Sequence, residues 1–199
     1  MQKKDLMNAI ARTGYNVGYG SKKNFSSYDI ITTLPTCISI LVIIIGIIGL
    51  GWPELSNKCV SVATLVVGII SFSIEKFSDN PDDYRKEGER ENRLFYKLKN
   101  LYLNVKGKDE KADLSTEEQE FEELKNDFYS NTIAKQILLA SSIAHFKFFC
   151  QYDIKWIEEE IDFKFWRDKV PFSLLSSLVI LVIIGLCSYF IFFHCPDCD

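Results

Sequence analysis

The chain has 199 residues, 47% hydrophobic and 25% charged, with a formal net charge of −4 and a pI near 5.3. That acidic balance offers no basic surface of the kind that binds nucleic acid, and two histidines, His145 and His194, are too few for most metalloenzyme or relay chemistry. Six cysteines do not make a disulfide framework either, because Cys37, Cys59 and Cys187 lie in or beside apolar runs. The averages conceal a segregation. Residues 30–53, 59–74 and 170–193 carry no charge, so all the charged side chains fall on the other 135 residues. A soluble protein of this size spreads its apolar residues at a period of 2 or 3.6, whereas uncharged blocks of this length predict membrane spans.

Residues 1–29 are polar and aromatic and contain nothing that reads as a cleavable leader. They predict a cytosolic lead-in in which Gly14, Gly18 and Gly20 form a bend, holding Tyr15, Tyr19, Phe25 and Tyr28 against the membrane surface. Asn16-Val-Gly-Tyr-Gly20 resembles the carbonyl filter of potassium channels. It precedes the first span, has no apolar pore helix before it and carries Asn16 in the threonine position, so the bend is the simpler reading. The glycine spacing is not that of a phosphate loop, and Lys22-Lys23 need do no more than contact lipid headgroups.

The first span covers residues 30–53, with Pro35 in its opening turns, Pro53 at its end and Trp52 at an interface. Its 24 residues reach about 36 Å as a helix. The second run, 59–74, reaches only about 24 Å and needs Lys58 and Phe77 to extend it. Together they predict a transmembrane hairpin over 30–77. Gly46 and Gly49 in the first span, and Thr64, Gly68 and Ser71 in the second, offer small or hydroxylated faces suited to helix packing. Such faces serve either the two spans of one chain or neighbouring subunits around a pore. Hydroxyls in membrane helices commonly bond their own backbone instead of lining a polar path. No charged residue lies inside a span, which argues against a proton-driven pump.

Residues 78–169 predict a helical cytosolic domain, with an interruption near Pro81. Leu94, Phe95, Leu98, Leu101, Tyr102 and Val105 recur at helical spacing, and a charged linker surrounds Gly107. Ser115-Thr-Glu-Glu118 fits a capping box ahead of a buried stripe of Phe121, Leu124 and Phe128. Ile133 to Ala144 suits a core helix, with His145 as a core histidine. The stretch with Ile154, Ile157, Ile161 and Phe165, flanked by Trp156 and Trp166, suits an amphipathic segment at the membrane interface. A third span, 170–193, opens with Pro171 and ends in aromatics, and 194–199 form an outer tail whose Cys195 and Cys198 suit a disulfide or an unremarkable end better than half a zinc site. The glutamates from Glu117 to Glu123 and at 158–160 read as solvated faces. The fold class is therefore all-α: an integral membrane protein with a two-helix hairpin, a helical cytosolic insert and a third C-terminal transmembrane helix. Five Lys/Arg in residues 1–29, against one in 53–58 and none in the tail, place the N-terminus in the cytosol and the C-terminus outside. No residue is assigned a catalytic, cofactor or metal role, and no enzyme is expected.

Arg12-Thr-Gly-Tyr-Asn-Val-Gly-Tyr-Gly-Ser-Lys-Lys-Asn-Phe25 leads directly into two closely spaced spans, followed by Tyr84-Arg-Lys-Glu and Leu94-Phe-Tyr-Lys-Leu98. Over most of residues 8–170 this arrangement resembles the SLATT family, two-span effectors associated with SMODS nucleotidyltransferases and SLOG nucleotide sensors in bacterial defence. The third span departs from the simplest two-span form. The resemblance implies an inner-membrane effector that oligomerises or opens to depolarise the cell when an upstream partner senses infection. That partner would be a nucleotidyltransferase, a SLOG protein or, in some branches, a reverse transcriptase. The family supplies no catalytic residues to carry over. The alternative is a non-conducting anchor or sensor that recruits a partner through the helical insert.

Overall fold

The computed structural model describes residues 1–52, 58–75, 80–130, 137, 139–164 and 168. Its elements are α1 (Lys3–Gly51), α2 (Lys58–Glu75), α3 (Pro81–Gly107), α4 (Ser115–Ser130), α5 (Ala140–Gln151) and the short α6 (Lys155–Glu158), with no strand among the described residues. The third apolar run, Trp166, Cys195 and Cys198 lie outside the described residues.

The largest departure from expectation is α1. Residues 1–29 do not bend; they are the first half of one helix of 49 residues, about 73 Å long, that runs through Pro35 without a break. All of its buried residues lie at or before Pro35, among them Leu6, Ile10, Ala11, Val17, Ile30 and Ile31. The two halves therefore meet different surroundings. The first is gripped by α3, α5 and α6, which with α4 form a helical body around it, and the second is accompanied by α2.

Glycines explain how the body grips the helix. α3 lies antiparallel to α1, from Lys3 beside the carbonyls of Lys106 and Lys108 to Ile30 and Ile31 beside Tyr84. Where it crosses Gly18, a Cβ would stand 2.7 Å from the ring of Phe95 and 2.8 Å from that of Phe148, and at Gly14 one would collide with the indole of Trp156. The missing side chains let three aromatic rings press on the backbone of α1. Around them Phe95 stacks on Tyr152 at 4.4 Å, and Trp156 packs against Tyr102 at 5.3 Å between ring centroids. Rings of this size each bury a large apolar area, and they sit among the aliphatic side chains of the same core.

The same packing corrects the expectation for Trp156. It is not at a membrane interface but 4% exposed inside the core, and Ile154 and Ile157 are buried with it. Tyr15 and Tyr19 likewise pack on this core and not on lipid. α5 begins at Ala140, after Leu139 in a left-handed conformation at φ 72°, and so contains the end of the predicted core helix, whose residues 133–136 and 138 lie outside the described residues. The capping box at Ser115 is replaced by Asp113, whose carboxylate accepts both the Ser115 backbone N–H and its hydroxyl at 3.0 Å. These bonds hold the Asp113 carboxyl below its ordinary pKa. α3 starts with Pro81 as its first residue, where the absent N–H costs least. Its whole predicted stripe from Leu94 to Val105 is buried, as are Phe121, Leu124 and Phe128 of α4.

Gly18→Ala is expected to overpack this seam and destabilise the body by about 1–3 kcal/mol. Gly107→Ala, where a Cβ meets nothing within 4 Å, is expected to leave stability unchanged or raise it slightly. Denaturant unfolding followed by near-ultraviolet circular dichroism separates the two variants.

Candidate functional site

Above Pro35 the chain changes character. Ile40, Leu41, Ile43, Ile47 and Leu50 on α1 are 53–89% exposed, and Val62, Leu65, Ile69 and Phe72 on α2 are 56–65% exposed. Only 11% of the most apolar 18-residue stretch of α1 is buried, so this is not the core helix of a soluble fold. An apolar surface of this extent is stable when lipid or another protein covers it. α1 has the length and composition to cross a bilayer, and α2 contains a shorter apolar helix, Val60–Ile74. Trp52 is 62% exposed at the far end of α1.

A collar separates the two regions. Ile30 and Ile31 of α1, Tyr84 of α3, Ile137 and Ala140 form a small second core, against which Tyr28, Leu34 and Ile74 pack. Protein therefore covers the first residues of the uncharged run, and the bare part of α1 starts after Pro35. Residues 36–51 extend about 24 Å, the same height as residues 59–74. Both fall short of the ~30 Å hydrocarbon core of a typical bilayer.

Just beyond the collar Pro35 ties the two helices together. Its carbonyl accepts the Ser39 hydroxyl at 2.9 Å and the Ser71 hydroxyl at 3.4 Å. Ser71 is 7% exposed, and this bond is a polar link from α2 to α1 in an otherwise apolar region. Thr64 instead bonds the carbonyl of Val60 one turn back, as membrane hydroxyls commonly do.

Farther along, α1 and α2 enclose a groove of about 600 Å³. Gly46, Gly49, Thr64 and Gly68 all line it, between Val42, Ile45, Leu65 and Phe72. The structure thus gathers four of the five predicted packing positions on one surface and puts the fifth, Ser71, at the tether. Two of them are not points of close contact between α1 and α2, however. A Cβ at Gly46 or Gly68 would meet nothing within 4 Å, so these glycines floor an open groove and do not seat the opposing helix.

On the body side, a polar seam lies between α1 and α3 below the collar. Ser21 donates to the Gly88 carbonyl at 2.9 Å, and Asn24 donates to Glu91 at 2.8 Å. Tyr152, whose phenol burial pushes up to about 12, donates to Asn92. At the rim, Lys147 of α5 pairs with Asp29 of α1. Sequence reasoning missed this seam, although Gly88, Glu91, Phe95 and Leu98 fall on one face of α3 and so placed a carboxylate on a buried stripe. Among the described residues no group of His, Cys, Asp and Glu is arranged to hold a metal ion. His145 is half-buried, with its ring 4.8 Å from that of Phe149 between centroids.

A helical body clasping one half of a long helix, whose other half is bare and apolar, defines a membrane-anchored helical protein. A family model described as SMODS and SLOG-associating 2TM effector domain 6 matches residues 1–190, and the chain belongs to that family of two-transmembrane effector domains. No curated protein and no solved structure matches it.

Ser71→Ala is expected to loosen α2 from α1 by about 0.6 kcal/mol, the typical size of a hydrogen bond between membrane helices. Gly46→Ala should cost nothing within one chain. Steric-trapping measurements of helix separation in bicelles read both.

Proposed function

We propose that this protein is the membrane effector of a bacterial defence system, and that copies of it assemble through the α1–α2 groove to permeabilise the inner membrane. The supporting observation is the groove itself: two of the small residues that line it, Gly46 and Gly68, face open space and leave room for a neighbouring subunit. Helices in lipid associate where small residues let backbones approach. The short apolar height of both helices adds a second drive, because segments shorter than the bilayer thin it or oligomerise to relieve the mismatch.

In this account the spans of 30–77 and 170–193 cross the inner membrane, with the N-terminus and helical body in the cytosol and the C-terminus outside. The body receives the signal from the partner, a nucleotidyltransferase, a SLOG protein or a reverse-transcriptase system. A signal shifts a closed assembly to an open one only by its differential affinity for the two. Because α1 belongs to both body and bilayer, a displacement of the body is carried into the lipid by the same helix.

Gly46→Leu and Gly68→Leu add bulk to the groove at positions where a Cβ meets nothing within 4 Å in the chain itself. In cells with the activating partner, the unmodified protein is expected to depolarise the inner membrane, and either variant to suppress depolarisation while still inserting at normal levels. Unchanged membrane potential in the fully activated system would overturn the reading. Function that survives replacement of both spans by unrelated ones would favour a non-conducting anchor that recruits a partner through its body.

A further inference from the structure

Glu91 is the one acidic side chain in the described core, 2% exposed on the face of α3 that meets α1. Its Oε2 accepts the Asn24 amide, and its Oε1 lies 2.9 Å from where a Cβ of Gly20 would stand, so the absence of a side chain there makes room for the carboxyl. Asn24 is itself only 3% exposed, and its Oδ1 is buried without a hydrogen-bond partner. A buried amide oxygen without a donor is costly. The carboxyl beside it becomes a donor when it carries a proton.

We propose that Asn24 and Glu91 form a proton-operated latch that holds the lower half of α1 in the body, shut when Glu91 is protonated and loosened when it is ionised. Protonated, the carboxyl rotates to donate O–H to Asn24 Oδ1 while still accepting the Asn24 N–H, and both polar groups are satisfied. Ionised, it leaves Oδ1 orphaned and holds a charge out of water. The charged and titratable groups around it are Lys23 on α1, Glu87 and Arg90 on α3, and Tyr152 following α5. None compensates fully: burial outweighs the Asn24 hydrogen bond and the two cations, and Glu91 is raised from 4.5 to about 7.

The direction of the pH effect follows. Between pH 4.5 and about 7 the closed seam keeps a proton that an opened seam has lost, so seam stability falls as pH rises across that window and levels off above it. Asn24 lies six residues below the collar at Ile30. Raising the pH on the body's side of the bilayer therefore lowers the work needed to detach the helix that continues into lipid.

The test is amide hydrogen exchange on the full-length protein in nanodiscs at pH 5.5, 6.5 and 7.5, corrected for intrinsic rates, with α4 as internal reference. Protection of residues 17–31 relative to α4 is expected to fall by roughly ten- to twenty-fold from pH 5.5 to 7.5, the yield of one coupled proton. Glu91→Gln, which cannot ionise, should be flat and as protected as the unmodified protein at pH 5.5. Glu91→Leu, similar in size, should also be flat and serves if the amide does not fold. An unmodified protein without this slope, or a variant that keeps it, overturns the latch. The readout needs neither pore nor partner, so it stands apart from the outcome of the depolarisation experiment.

Discussion

Three aromatic rings pressed onto a helix backbone at Gly14 and Gly18 are the contact on which the rest of this architecture depends. Phe95, Phe148 and Trp156 come from three separate segments, and they converge on α1 only because two glycines one turn apart leave its surface bare. With side chains there, α3 and α5 would stand off by the thickness of a methyl group or more. The collar at Ile30 and Ile31 and the polar seam at Asn24 would then lose register. Interiors packed at crystal-like density do not absorb such displacements quietly.

From that grip the continuity of α1 acquires its meaning. A helix passing unbroken through Pro35 couples a protein-covered half to an apolar half more directly than any flexible linker would. Proline removes the N–H that would bond the Ile31 carbonyl, and a lone proline commonly kinks a helix. Here the proline's own carbonyl is engaged by Ser39 and Ser71, which anchors α2 at the same level. The body, the collar, the Pro35 tether and the open groove thus form an ordered series along a single helix. An event at one end has a mechanical route to the other.

The regions of strong pattern were legible in the sequence. The uncharged run 59–74 nearly coincides with α2, the apolar stripe of α3 is buried throughout, and Pro81 marks the start of its helix. Family membership was legible from the arrangement of segments. Glycine was misread: Gly14, Gly18 and Gly20 have the composition of a bend, and only the partners arriving from residues 95, 148 and 156 turn two of them into a packing surface. Gly14 and Gly18 carry the same four-residue spacing of small residues as Thr64 and Gly68, and that clue was available. Trp156 was misread for a related reason, because an aromatic-rich segment looks alike whether it faces lipid or a protein core. Spacing put Gly46 and Gly68 on faces that share one groove but gave no hint of their openness, since it says which residues share a face and not what covers it.

The central claim is that one rigid helix joins the body to the lipid-clad region. Double electron–electron resonance between spin labels at Arg12 and Leu50, both exposed, measures it in nanodiscs. An unbroken helix places these positions about 57 Å apart, reduced by a few ångströms for a kink at Pro35, in a narrow distribution. A broad distribution centred well below that, as from a bend in residues 14–20 or a hinge at Pro35, would contradict it.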